Sequence, residues 1–377
     1  MKRKVKVLHI ITGLGIGGAE TMLYKLLSRL SQEEQSQHFV LSLIKPGPYK
    51  EKITDLGVTV LSLNMQSLLS LPAAIWSLLS TVRTIQPDVV QGWMYHGNLF
   101  ASISQLVLPR TVKIVWNVRH SLYDFSKETT ATKWLIKFSA KISSFCDQIL
   151  YNSSISRTQH EQAGFTSCLG KVIPNGFETD LFCPNMQFRK KIRDELKIGD
   201  TKKIITHIGR FHAAKNHLGF IRAVIPVLEK NIHAEVVMVG VNIDSNNEFL
   251  TSQIPPALRS RFHLLGLRRD IPEIMAASDM LAMSSDTEGF PNVIGEAMSS
   301  GLPVVTTDAG ESRVVVGDVG IVVPIGDMEA LSEGILSLIE LDIETFEDLR
   351  YKSRQQIILN YSLDAISSQY QELYESK

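Results

Sequence analysis

Along this chain, short apolar runs alternate with stretches in which apolar residues return every three or four positions. Val5 to Thr12 is almost wholly apolar, as a parallel strand buried on both faces should be, and Ala19 to Leu30 has helical spacing. The same signals predict strands over 39–44, 58–63, 88–92, 112–117, 146–152 and 171–174. Helices are expected over 71–85, 99–106 and 132–145, with His96-Gly97-Asn98 as a loop before the second of them. Asn175-Gly176-Phe177 is a turn signal, and Phe182 to Asn185, which contains Pro184, reads as a linker. From Lys202 the rhythm restarts. Strands are expected over 203–208, 235–240, 262–266, 280–283, 303–306 and 321–323, with helices over 217–228 and 271–277. Helical stretches over 328–341, 346–359 and 363–374 close the chain. Two successive βα series predict an α/β protein of two doubly wound, Rossmann-like domains.

Composition narrows this picture. A chain of 377 residues with 44% hydrophobic and 21% charged content suits two domains, each with its own core. Formal charge balances at zero, so nothing global argues for nucleic acid. Cys146, Cys168 and Cys183 are scattered and lack metal spacing, which suits a reduced, cytoplasmic setting. Lys2-Arg3-Lys4 before an apolar run imitates a secretory signal, but His9, Thr12 and several glycines break the run, so it reads as a buried first strand. The apolar-rich region 61–82 contains Asn64, Gln66, Pro72 and many serines, and falls short of the roughly 20 apolar residues of a membrane span.

Gly13-Leu14-Gly15-Ile16-Gly17-Gly18 satisfies G-x-G-x-x-G between a strand and a helix. A dinucleotide site also needs an acid at the end of the second strand, about 20 residues on, to hold the ribose. That strand ends in Lys45-Pro46-Gly47, and Glu33 and Glu34 precede it, so a nicotinamide enzyme is set aside. The glycine loop remains a place where backbone can approach a ligand.

The richest stretch is Glu288-Gly-Phe-Pro-Asn-Val-Ile-Gly-Glu296, after the apolar run 280–283. Gly289 and Pro291 predict a tight turn carrying Glu288 and a helix starting near Asn292, whose free N–H groups and dipole favour an anion. In an unbroken helix the two carboxylates would stand about 12 Å apart. That exceeds the roughly 5–9.5 Å of a glycosidase pair, so an anion and a polyol held together is the better reading. A second cationic loop follows the strand 203–208, where Gly209-Arg210 and Lys215-Asn216 suit a pyrophosphate.

The E-x7-E stretch, the G-R-x4-K-N pattern and the GGAE of the glycine loop together resemble the retaining GT-B glycosyltransferases of the family-four, group 1 type. The resemblance implies two Rossmann-like domains facing across a cleft. The acceptor-side domain would be 1–183 plus 362–377, with a returning last helix, and the nucleotide-sugar domain 184–361. It implies sugar transfer from a nucleotide diphosphate donor (UDP or GDP type) to a hydroxyl of a sugar or lipid-linked acceptor, with retention and without cofactor or metal. In this family Glu288 and His120 would lie against the donor sugar, and Arg210, Lys215, Asn292 and Val293 at its diphosphate. Glu296 would hold the ribose, with Gly289, Phe290, Pro291 and Arg268 around sugar and nucleotide, and Gly17 and Gly18 in the glycine loop. Bacterial surface-polysaccharide or lipopolysaccharide assembly is the expected setting. An epimerase or hydrolase of the same fold, and a non-catalytic partner subunit, are the rival readings.

Two features stay open. His96 is either an acceptor contact or a solvated residue. Lys133, Lys137 and Lys141 form one helical stripe, with Trp134, Leu135, Phe138, Ile142 and Phe145 largely opposite. That suits either an ordinary surface helix or peripheral contact with anionic lipid at the inner face of a membrane.

Overall fold

The computed structural model describes residues 3–33, 35–122, 125 and 129–376; Lys2 and Glu34, used above, lie outside them. The chain forms two compact units, residues 1–176 with 363–377, and residues 177–362.

The first unit holds β1 (Val5–Ile11), β2 (Ser36–Ser42), β3 (Thr59–Ser62), β4 (Val89–Trp93), β5 (Lys113–Val118), β6 (Gln148–Tyr151) and β7 (Gly170–Val172). They form one parallel sheet in the order β3-β2-β1-β4-β5-β6-β7. Its helices are α1 (Gly18–Leu30), α2 (Tyr49–Asp55), α3 (Leu71–Ile85), α4 (Met94–Ser104), α5 (Thr130–Ile142) and α6 (Ser154–Gln162).

The second unit holds β8 (Lys203–Ile208), β9 (Ala234–Val239), β10 (Phe262–Leu264), β11 (Met280–Met283), β12 (Val304–Thr307) and β13 (Ile321–Val323), parallel in the order β10-β9-β8-β11-β12-β13. Its helices are α7 (Met186–Leu196), α8 (His217–Lys230), α9 (Glu248–Thr251), α10 (Ile271–Ala277), α11 (Asn292–Ser299), α12 (Ser312–Val316), α13 (Met328–Ile339) and α14 (Ile343–Tyr361). The last helix, α15 (Leu363–Glu375), belongs to the first unit.

Each sheet is buried on both faces, which explains the continuous apolar runs. In the first unit, Leu8, Ile10, Val90, Ile114 and Trp116 build one core layer, and Val7, Ile11, Trp93, Val115 and Leu150 the other. α15 seals the second layer with Ile366 and Tyr370, and the Tyr374 hydroxyl donates to Gln91 Oε1 at 2.5 Å. Inside the same layer Trp93 Nε1 donates to His9 Nδ1 (3.2 Å), so His9 Nε2 carries the proton toward His38 Nδ1 (3.1 Å). His38 Nε2 then donates to Ser36 Oγ (2.8 Å), and one tautomer satisfies the chain.

The crossing between units falls at Gly176–Phe177, where the linker signal at Phe182 to Asn185 placed it at 183/184. Phe177 is already fixed in the second unit: its N–H donates to the Tyr361 carbonyl (2.9 Å), and its ring stacks on Phe290 at 6.0 Å. Burying such a ring is worth about 2–3 kcal/mol, and Phe182 from the expected linker is buried in the same core.

One sequence expectation needs correction. His96-Gly97-Asn98 is not a loop but the first turns of α4. A Cβ at Gly97 would stand 2.3 Å from the Ile10 carbonyl oxygen, and Asn98 Oδ1 accepts the Asn117 N–H at 3.1 Å. Glycine and a short amide appear there because the helix lies hard against β1 and β5, not because the chain turns.

Candidate functional site

The loops at the carboxyl edge of the second sheet are stitched together by side chains. After β11, the Ser284 hydroxyl donates to the carbonyls of Lys215 (3.1 Å) and Asn216 (2.8 Å), and the Asp286 N–H donates to the Ala214 carbonyl (2.9 Å). Asn216, whose φ is 48°, caps α8 through Gly219 N–H and donates from Nδ2 to Asp286 Oδ1 at 3.1 Å. The loop after β12 joins them: Thr307 Oγ1 donates to the Ser285 carbonyl at 2.6 Å. Gly310, at φ 63°, lets that loop press on the Glu288 carbonyl, where a Cβ would come within 2.1 Å of its oxygen. Neighbouring strands β8, β11 and β12 thus carry their loops as one body.

Inside that body Lys215 Nζ donates to Glu288 Oε1 at 2.5 Å, and the Ser285 hydroxyl donates to the same oxygen at 2.7 Å. Both partners are shielded, Glu288 12% and Lys215 22% exposed. Arg210, one residue past Gly209, is exposed, and its guanidinium has no partner among the described residues. α11 starts at Asn292 as expected, with Pro291 just before it and no side-chain cap. Asn292 is exposed, while Val293 and Glu296 are half-buried. Phe290 stacks on Phe177 and faces Tyr361, which anchors the turn carrying Gly289.

Arg268 differs. Its Nε donates to Asp270 Oδ1 (2.8 Å) and Nη1 to Glu195 Oε1 (2.6 Å). These bonds, Asp270 first, push its guanidinium above the ordinary value. It is committed to two carboxylates and shares no contact with the Lys215–Glu288 pair among the described residues.

In the first unit, Gly17 precedes α1 and Gly18 begins it, and the Glu20 carboxylate folds back toward Gly17. His120 follows β5 by two residues and belongs to a relay that the sequence did not disclose. His160 Nδ1 lies 2.7 Å from the Ser156 carbonyl, which can only accept, so Nδ1 carries the proton. Nε2 then accepts from the Tyr95 hydroxyl (2.7 Å), whose oxygen faces His120 Nδ1 at 3.3 Å. His120 Nδ1 and the Tyr95 hydroxyl thus join His120 to the buried His160. Burial holds His160 down to about 4, which keeps it an acceptor. Helical spacing in α6 marks His160 only as an inward-facing residue, and Tyr95 falls between the strand expected over 88–92 and the expected loop at His96-Gly97-Asn98. His96 is exposed on α4.

α5 does not present a simple apolar face to the core. Ile136, Ser139 and Ala140 point inward, while Trp134 and Phe138 are exposed with Lys137 and Lys141, and so is Phe145 just after the helix. Beside them lies an apolar groove of about 810 Å³, bordered by Leu99, Ile103, Leu106, Phe138, Ile142 and Phe145. No helix among the described residues is long and apolar enough to cross a membrane. Among the same residues no three His, Cys, Asp or Glu side chains are grouped to hold a metal ion.

Comparison with known proteins bears on these units directly. Residues 16–181 match the family described as Glycosyltransferase Family 4, and residues 202–341 the family described as Glycosyl transferases group 1. The capsular polysaccharide biosynthesis glycosyltransferase CapH of Staphylococcus aureus is 25% identical, over 82% of this chain and 83% of its own. The UDP-Gal:alpha-D-GlcNAc-diphosphoundecaprenol alpha-1,3-galactosyltransferase of Escherichia coli is 25% identical over 68% of each. The crystal structure of Anabaena Alr3699/HepE in complex with UDP matches with a TM-score of 0.82 and 23% identity, covering 99% of this chain and 100% of that one.

Proposed function

This chain belongs to the GT-B glycosyltransferases of group 1 and family 4, and on that premise we propose that it moves a sugar from a nucleotide diphosphate donor to a hydroxyl acceptor with retention of anomeric configuration. The observation that carries the reading is the joined pair of loops after β8 and β11, with Lys215 on Glu288 and Arg210 exposed beside them.

An ammonium has three donors, and Glu288 takes one from Lys215. The others serve an anion, together with Arg210 and the first-turn N–H groups of α11 at Asn292 and Val293. Those charges neutralise the departing diphosphate, so the reaction asks for no metal or other cofactor. Glu288, locked in place by Lys215 and Ser285, is the carboxylate for the donor sugar, where positive charge develops. Glu296, four residues into α11, is assigned to the ribose, with Gly289, Phe290 and Pro291 shaping the turn between them. His120, joined through the Tyr95 hydroxyl to His160, is assigned to the donor sugar. Arg268, held by Asp270 and Glu195, takes at most a supporting place near the nucleotide.

The Escherichia coli relative is named for a diphosphoundecaprenol acceptor and the Staphylococcus aureus relative for capsular polysaccharide. We extend both to this chain as a lipid-linked or sugar acceptor in bacterial surface-polysaccharide assembly. The exposed Trp134, Phe138 and Phe145 beside Lys137 and Lys141 suit peripheral contact with an anionic bilayer.

Thermal-shift screening against UDP, GDP and ADP and their sugars tests the donor. A ligand at 100 times its dissociation constant stabilises by about 2.7 kcal/mol. One nucleotide should stand out in the parent and lose its effect in Arg210→Ala and Lys215→Ala. Equal shifts in all three proteins would remove the site. Release of free nucleotide at full rate without acceptor would make the protein an epimerase or hydrolase instead.

A further inference from the structure

Arg119 follows β5 and precedes His120. It lies over Trp93, 5.9 Å from the ring centroid, and is bonded only to neutral acceptors. Nη1 donates to Tyr370 Oη (3.1 Å) and Asn117 Oδ1 (3.3 Å), and Nη2 to Asn175 Oδ1. No carboxylate pairs with it among the described residues. A shielded cation ordinarily has one. Arg193 in the second unit does, with Asp279 Oδ2 at 2.6 Å.

A guanidinium has five N–H donors. The three bonds above leave Nε–H and one Nη2–H over. Nε and Nη2 form the edge of the fork that takes two oxygens of a phosphate or carboxylate at once. Burial lowers the Arg119 guanidinium from its ordinary value, with the Tyr370 hydroxyl opposing. An anion would relieve that cost.

The surroundings point the same way. Ile11, Trp93 and Asn117 stand side by side at the ends of β1, β4 and β5, so Arg119 lies just beyond the carboxyl edge, where ligands of parallel sheets gather. Between them Met94 holds a φ of 61°, a left-handed conformation that costs an ordinary side chain about 1–2 kcal/mol. Its sulfur receives the Arg119 N–H at 3.4 Å, and α4 begins there without a side-chain cap.

We propose that Arg119 is an anion receptor of the first unit that takes a phosphate group carried by the acceptor, an inference that rests on the transferase reading for the word acceptor. A neutral sugar would leave the Nε–Nη2 edge unfilled, whereas a sugar phosphate or a lipid diphosphate fills it.

The test uses the full chain carrying Arg210→Ala and Lys215→Ala, which silences the second unit's anion loops. Calorimetric titration with inorganic pyrophosphate should show one site whose affinity falls as salt rises. Adding Arg119→Gln should weaken it at least tenfold. Arg119→Lys, which keeps the charge and loses the fork, should weaken it several-fold while its melting temperature stays near that of the double variant. Competition with glucose 1-phosphate and with farnesyl diphosphate then tells a soluble from a lipid-borne phosphate. No pyrophosphate site in the double variant, a site indifferent to both Arg119 changes, or displacement by neither competitor would overturn the proposal. Failure of the donor reading shows separately, as nucleotide affinity that Arg210→Ala and Lys215→Ala leave unchanged.

Discussion

Consider breaking the Lys215–Glu288 pair from either side and then from both. Lys215→Met leaves Glu288 12% exposed, with Ser285 Oγ at 2.7 Å as its remaining donor. Stranding a fully buried charge costs about 3–5 kcal/mol. Lys215 is about a fifth exposed, so water screens part of that, and roughly 1–3 kcal/mol is the reasonable expectation here. Glu288→Gln strands the ammonium at a smaller cost, because a lysine stem can turn its head to solvent. The double variant, Lys215→Met with Glu288→Gln, removes both charges and should recover about 1–2 kcal/mol relative to the sum of the singles. For a unit of 150–250 residues each kcal/mol moves the melting temperature by about 2–4 °C. Calorimetric melting of the four proteins therefore resolves the coupling. Transfer should not recover: turnover in the double variant stays at or below that of the worse single. Strictly additive stability losses would show that the pair does not form in solution. Recovered turnover would show that the two side chains serve structure alone.

Other outcomes follow from the same geometry. His9, His38, His160, His207 and His217 are buried, and burial is the first cause holding each below its ordinary value, to about 4 for His38, His160 and His217. Because the folded values are the lower ones, their stabilisation is full above about pH 6.5 and falls away as pH drops below it; for His38, His160 and His217 that loss runs to about pH 4, at roughly 1.4 kcal/mol per pH unit each. Urea midpoints should drop clearly from pH 7.5 to 5.5, and a flat profile would contradict the neutral, tautomer-fixed chains. Tyr95→Phe keeps the ring but removes the hydroxyl between His120 and His160, so kcat should fall about tenfold with little change in donor KM; the reverse split would remove His120 from the reaction. Changing Lys133, Lys137 and Lys141 to Gln should abolish co-sedimentation with anionic vesicles at low salt, each lysine contributing about 1 kcal/mol at such a surface. A parent protein that stays in the supernatant would end the membrane reading.

Much of this was open to reading because buried parallel strands are short apolar runs with polar ends. β8, β11, β13, α3 and α10 fall where the pattern put them. The loops that carry Glu288 and Lys215 could be placed because each follows such a strand. Their contact could not be, since it joins residues 73 positions apart and depends on the order β8-β11-β12. The same holds for Tyr95 and His160, 65 positions apart. α4 misled because Gly97 and Asn98 look like turn residues, when close packing on Ile10 and Asn117 selects them. α2 begins just after Lys45-Pro46-Gly47-Pro48, whose turn character hid it. The linker signal at Phe182 to Asn185 was real chain punctuation, but Asn185 is there to cap α7 inside the second unit.

Proton NMR of the product made from an α-linked nucleotide sugar distinguishes retention from inversion and from hydrolysis. The product should be α-linked, should appear only when acceptor is present and should be lost in Arg210→Ala with Lys215→Ala. A β-linked product, or free sugar formed at the same rate without acceptor, would contradict retaining transfer.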